Sequence, residues 1–378
     1  MSELFPARAD IDLDAITANL GVVREAVDGQ KLLGVVKADA YGHGRAQCAR
    51  ALLGAGADYL GVAQVAEAVN LRKEVGAGPA ILAWIYAPGA ALGEALSARI
   101  ELSVGAFWAL DEVAAAARST GITAKIHLKV DTGMARGGFN LSDVAEASRR
   151  IRELVAEGVC ELQGLWSHLA RADEVECGLT EIQVGRFEQA RSLVKAAGLA
   201  PVLCHLAASA GALWHPAARY DMVRPGIVLY GLSPNPAYRT AAQMGLKAAM
   251  TLSADLIVDR EVPGGTGVSY GHTASTQGPT RLGVVPLGYA DGIDRKASNV
   301  APLVINGQST KIMGRVCMDQ FVVPLPGDSA AGDRAYLFGD AQAGLPTADD
   351  WAEAMGTIGY EVVTRLGARV PRRYHGEG

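Results

Sequence analysis

The chain has 378 residues, 49% hydrophobic and 20% charged, with 35 basic against 40 acidic side chains for a net charge of −5. That much apolar side chain can offset the entropy of ordering, which excludes a disordered chain. The lack of a basic excess argues against a general nucleic-acid binder. From the N-terminus, Met1–Arg8 has no charged-then-apolar leader, and no apolar stretch approaches the roughly 20 residues that cross a bilayer. Five scattered cysteines (Cys48, Cys160, Cys177, Cys204 and Cys317) form no Cys-x-x-Cys pair, which points to neither a zinc site nor a disulfide framework. The expectation is a cytoplasmic protein with reduced thiols and no metal, acting on neither nucleic acid nor membrane.

Along the first 235 residues, short β-like runs at 33–38, 59–63, 80–84, 100–104, 126–130, 163–167, 202–206 and 226–230 alternate with Ala-rich amphipathic stretches such as 14–27, 64–75, 141–157 and 180–197. Apolar residues in those stretches recur at helical spacing. Eight such alternations predict a parallel sheet, and eight strands close into a TIM-like (β/α) barrel. After about residue 235 the pattern changes. Runs at 250–260, 281–286, 303–305, 311–314 and 336–338 are separated by Gly and Pro, and only 348–355 and 360–366 look helical. This predicts a smaller, mostly antiparallel β domain over 236–378. A short strand near 9–13 could pair with either domain.

In a parallel barrel, chemistry comes from the C-terminal ends of strands and the loops that follow. The first strand runs into Val35-Val36-Lys37-Ala38-Asp39-Ala40-Tyr41-Gly42-His43-Gly44. A lysine ending an apolar strand either snorkels to water or serves as a neutral amine able to form a Schiff base. The fifth strand leads to Lys129, Asp131 and Arg136 around a Gly turn, as an anionic substrate site would. Its bland alternative is a turn with solvated charges. His168 ends the sixth strand, where a lone histidine is commonly structural. Ser209 follows the seventh as a possible helix N-cap, and Arg224, Gly226 and Ile227 mark the eighth. Loops after the last two strands often bind phosphate, which suits Ser209 and Gly226. In the β domain, Tyr270, Tyr289 and Tyr360 each sit among glycines, and Cys317 has no neighbouring base to make it a nucleophile.

Taken together, these blocks resemble the alanine racemases, over about residues 9–372 and in that family's order. The segment 35–44 resembles the family's pyridoxal 5'-phosphate (PLP) lysine signature. The resemblance implies Lys37 as the cofactor-linking lysine, with the phosphate held by Tyr41, Ser209, Tyr360 and the backbone amides of Gly226 and Ile227. Arg224 would face the pyridine nitrogen. A guanidinium keeps its protons, so the ring would be a damped electron sink favouring racemisation over transamination. Two bases are implied, Lys37 for the D-enantiomer and Tyr270 for the L-enantiomer. A free phenol titrates near ~10, so Tyr270 would need cationic support, for which His168 and Arg136 are the matching residues. Met318 would contact the substrate carboxylate, Tyr289 would narrow the pocket, and Asp173, Arg295 and Arg315 would line the access corridor. Lys129 matches a position of lysine carbamylation. A head-to-tail homodimer is implied, with Tyr270 reaching the partner's cofactor.

One position departs from the family pattern: Ala208 stands where Asn usually precedes the phosphate-binding serine, which removes an amide near the cofactor. The expected activity is interconversion of L- and D-alanine, supplying D-alanine for peptidoglycan. Racemisation of serine or of a broader range of amino acids is the near alternative, and a non-catalytic PLP-binding protein the distant one. A related decarboxylase would need a Cys-Asp substrate pair that is not evident here.

Overall fold

The computed structural model describes residues 4–376. Strand β1 (Ala7–Asp12) belongs with residues 41–47 and 230–376 in one unit, while residues 20–40 and 48–229 form the other.

The latter unit is the barrel. Its strands are β2 (Lys31–Val35), β3 (Tyr59–Gln64), β4 (Ala80–Ile85), β5 (Ile100–Val104), β6 (Ala124–Lys129), β7 (Cys160–Trp166), β8 (Leu203–His205) and β9 (Met222–Val223). They line up as β8-β7-β6-β5-β4-β3-β2-β9. All the registered pairs are parallel, and a parallel bridge between Ala208 and Arg224 closes the ring. Strands covered on both faces read as nearly unbroken apolar runs: Leu33, Leu60, Ile81, Leu102, Ile126 and Leu165 are fully buried. Helices such as Phe107–Thr120 and Val144–Ala156 bury one face each.

Two strand expectations need correction. The eighth strand is Met222–Val223, not 226–230, which folds instead as a 3-10 turn over Ile227–Tyr230. Only two residues there find ladder partners, and Pro225 cannot donate to a ladder. The first strand stops at Val35. The chain then enters a left-handed turn in which Ala38, Asp39, Ala40 and Tyr41 all have φ between 52° and 54°. Left-handed backbone costs roughly 1–2 kcal/mol per non-glycine residue, so tertiary contacts must impose it. One carboxylate does much of this. Glu67 accepts from the amides of Ala38 (2.7 Å), Ala63 (3.1 Å) and Gln64 (2.9 Å), and the Ala40 amide donates to Val36 O at 3.0 Å.

The other unit is mostly antiparallel. After β10 (Met250–Asp255) come β11 (Val258–Val262), β12 (Gly267–Val268), β13 (Ala274–Ser275), β14 (Thr280–Val285), β15 (Pro302–Ile305), β16 (Gln308–Lys311), β17 (Phe321–Pro324), β18 (Arg334–Phe338) and β19 (Arg372–His375). Five of them join β1 in a six-stranded sheet, β16-β15-β18-β10-β1-β19, beside a three-stranded β11-β14-β17 sheet and a β12-β13 pair. The run 250–260 therefore splits between two sheets, and the run 311–314 contributes only Lys311. The short strand near 9–13 is β1, paired antiparallel with β10 and parallel with β19. Under this unit's sheet lies Trp351, 1% exposed, whose indole N–H donates to Leu337 O at 2.6 Å. Among the described residues no helix is long and apolar enough to cross a membrane.

Candidate active site

Four cationic side chains that end or follow three barrel strands act on one imidazole. His168 is held well below its ordinary pKa by burial first, then by Arg224, Arg136, Lys37 and Lys129. It is therefore neutral and does not supply the cationic support expected of it for Tyr270. Burial also lowers the Lys37 amine, with Arg136 pushing the same way and Glu67 opposing. Lys129 is pulled down to about 8 by burial, then by Arg136 and Arg224. Both lysines thus deprotonate more readily than free ones, which is what an amine nucleophile needs.

Arg224 is 3% exposed, and burial pulls its pKa down to about 9, leaving it cationic at neutrality. Its Nη2 donates to Ser167 O (2.8 Å) and Leu206 O (3.0 Å) and lies 3.3 Å from His168 Nδ1. The Trp166 ring lies beneath both Arg224 (4.9 Å to Cζ) and Lys129 (4.8 Å to Nζ). Aromatic faces favour such cations when water is excluded.

Behind Arg224 runs a buried chain of polar side chains that the sequence reading did not single out. Arg224 Nη1 meets His205 Nδ1 at 2.9 Å, His205 Nε2 meets His127 Nδ1 at 2.9 Å, and His127 Nε2 meets Glu101 Oε2 at 2.8 Å. Glu101 is 5% exposed and both histidines are fully buried. The signal was present as single polar residues inside apolar strands, Glu101 between Ile100 and Leu102 and His127 between Ile126 and Leu128. A break in β6–β7 register between Ile126 and His127 sets His127 opposite Gly164. A Cβ at 164 would lie 2.1 Å from His127 Nδ1. Gly164→Ala should therefore displace the imidazole and cost about 1–3 kcal/mol of stability, measurable by urea unfolding.

Two groups suited to phosphate are assembled separately. In the barrel unit, buried Ser209 opens the helix Ser209–Trp214, and its Oγ accepts from the Gly226 amide at 2.9 Å. In the other unit, Tyr41 packs against Tyr230 (5.0 Å between ring centroids) and Tyr360 (6.3 Å). Burial raises the Tyr41 phenol, so it stays a proton donor. Ala208, the departure noted above, is the N-cap residue of that short helix and bridges to Arg224 through its backbone.

The second unit also presents an exposed aromatic face. Tyr270 is 71% exposed, Met318 53% and Tyr289 47%. Backbone ties hold this face in shape. The Tyr289 and Ala290 amides donate to Cys317 O (3.0 Å) and Met318 O (2.9 Å), and only glycine at 288 permits this approach, since a Cβ there would lie 2.2 Å from Met318 O. Ser269 Oγ, beside Tyr270, donates to Arg315 O at 2.6 Å. Arg295 is exposed, while Arg315 and, in the barrel unit, Asp173 are half-buried. Cys317 lies 3.3 Å from Ser269 Oγ. Among the described residues no cluster of His, Cys, Asp or Glu is suited to a metal ion.

Comparison with known proteins matches residues 11–234 to the family profile "Alanine racemase, N-terminal domain" and 249–374 to "Alanine racemase, C-terminal domain". The alanine racemase of Beutenbergia cavernae is 50% identical over 374 residues, covering 98% of each chain. That of Streptomyces coelicolor is 48% identical, covering 98% of this chain and 96% of its own. The crystal structure of the alanine racemase from D-cycloserine-producing Streptomyces lavendulae superposes with a TM-score of 0.97 at 45% identity, covering 99% and 98% of the two chains. A cationic barrel mouth built around a lysine on a strained turn, in a chain matched from end to end by such relatives, belongs to the alanine racemase family.

Proposed function

We propose that the protein interconverts L- and D-alanine with PLP as cofactor, using Lys37 and Tyr270 as its two bases. The observation that carries this reading is the gathering of Lys37, Lys129, Arg136 and Arg224 around the neutral His168. Such a concentration of positive charge fits a ligand that brings a phosphate and a carboxylate. Relatives named alanine racemase at 50% and 48% identity support alanine as the substrate.

When bound, PLP withdraws electron density from the substrate's α-carbon and makes its proton acidic. The chain supplies the rest. Lys37 Nζ, lowered by burial, would hold the cofactor in the absence of substrate and, as the amine set free when substrate binds, would take or return the proton on the D-face. Tyr270 Oη does the same on the L-face. Arg224 would face the ring nitrogen and donate to it without giving up a proton. Ser209, the Gly226 and Ile227 amides, Tyr41 and Tyr360 hold the phosphate. Arg136 and the Met318 amide bind the substrate carboxylate, and Lys129, carbamylated, would orient Arg136. Tyr289 limits the side chain admitted, and Asp173, Arg295 and Arg315 line the access corridor. In this reading residues up to about 235, apart from β1 and the segments grouped with the other unit, make the PLP-binding barrel, and 236–378 the main part of the β domain.

The exposure of Tyr270, Tyr289 and Met318 supports a head-to-tail homodimer, because a contiguous apolar face of this kind marks an interaction surface. A cytoplasmic enzyme supplying D-alanine for peptidoglycan completes the reading. The test is chiral chromatography of L-alanine, L-serine and larger L-amino acids after incubation with protein and PLP. Racemic alanine alone is the expected result. Racemic serine as well would broaden the specificity, and no racemisation with PLP bound would overturn the reading. Ser209→Ala removes the hydroxyl that accepts from Gly226 and contacts phosphate. At about 1–3 kcal/mol for a buried hydrogen bond lost, the Kd for PLP should rise roughly ten- to hundred-fold in an absorbance titration.

A further inference from the structure

The direction of every hydrogen bond behind Arg224 can be worked out from one fact: a guanidinium only donates. Arg224 Nη1–H points at His205 Nδ1, so that nitrogen must be an acceptor and His205 must carry its proton on Nε2. His205 Nε2–H then donates to His127 Nδ1, which in turn must be bare. His127 therefore carries its proton on Nε2 and donates to Glu101 Oε2. An imidazolium at His127 would present N–H to His205 Nε2 and force the second histidine's proton against the arginine. The arrangement thus admits two neutral imidazoles, each in a single tautomer, between one carboxylate and one guanidinium.

We propose that Glu101 is the positioning residue and buried counter-charge for Arg224, acting through His127 and His205 to fix the plane and charge of the guanidinium. An uncompensated charge in a barrel interior is expensive, and the other acceptors of Arg224, Ser167 O, Leu206 O and His168 Nδ1, are two carbonyls and an imidazole nitrogen that bring no negative charge. Glu101 supplies the anion without touching the arginine, through His127 and His205. The role assigned to Arg224 at the cofactor rests on the proposed function above; the relay itself rests only on the four side chains.

Full-length protein, cofactor-free and PLP-loaded, labelled with 15N at histidine, gives the direct test. Two of the seven histidines should appear as neutral tautomers protonated at Nε2, with strongly downfield N–H protons in both states. Glu101→Gln keeps an acceptor but removes the charge, so the His127 N–H proton should move upfield. By analogy with the partners that orient metal-bound histidines, kcat should fall roughly 10- to 100-fold with KM within about twofold. Glu101→Asp should recover part of that loss, which a purely steric role would not predict. An imidazolium or the opposite tautomer at His127 in the unsubstituted protein would overturn the relay, and this holds even if E101Q fails to fold. An unchanged histidine spectrum in E101Q would overturn it too. A changed spectrum with unchanged kcat and cofactor absorbance would uphold the relay and instead refute the placement of Arg224 at the cofactor.

Discussion

Lys37→Ala is expected to abolish the cofactor-linked absorbance band and to lower racemisation in both directions by at least about 10⁴, the upper end of what a positioned base contributes. The amine is lost together with both of its roles, and the surroundings offer no easy substitute at the same place. Lys37 opens a turn whose first amide is clamped by Glu67, so the position of Nζ is set by backbone that no other residue shares. Lys129 is the neighbouring amine with a lowered pKa, but it lies against Trp166. Absorbance spectra and chiral chromatography of the purified variant decide the matter. A band and turnover that persist in K37A would mean that another lysine holds the cofactor, with Lys129 the first to replace.

Tyr270→Phe should separate the two faces of the α-carbon. Net racemisation falls equally in both directions, because the equilibrium constant between enantiomers cannot change. Exchange of the α-proton with solvent deuterium is not so bound. D-Alanine should still exchange through Lys37 at close to its original rate, whereas exchange into L-alanine should fall roughly 10²- to 10⁴-fold. Proton NMR of each enantiomer in deuterated buffer reads both rates. Equal, mild losses would mean that Tyr270 is not the second base. If the proposed head-to-tail homodimer brings this phenol to the partner's site, dilution to the monomer should mimic the substitution.

How far the sequence could be read depended on whether each feature was local. Strands β3 to β6 were legible because parallel strands covered on both faces are continuous apolar runs. The strand before Arg224 was not, since two ladder residues leave no periodic trace. The left-handed turn after Lys37 was equally hidden. Its residues, Ala38-Asp39-Ala40-Tyr41, have no glycine to announce positive φ, and the conformation is set by Glu67, almost thirty residues away in sequence. The gathering of Lys37, Arg136, His168 and Arg224 could be anticipated because each ends a strand or follows one. Glu101, His127 and His205 could not, because each alone is indistinguishable from a satisfied core polar group, and only their distances join them.

Strand β1 carries a consequence for how the protein comes into being. It lies between β10 and β19 in its sheet, and its register partner for Ala9 on one side is Arg372, roughly 360 residues later. At synthesis rates of about 5–20 residues per second, β1 waits roughly 20–70 s for β19. During that interval the barrel segments have already emerged, while Ala9 and Ile11, fully buried in the finished sheet, remain without their final cover. The pairing of β1 is thus completed only once β19 has emerged, and a ribosome stalled before residue 372 would display an open sheet edge to any neighbouring chain.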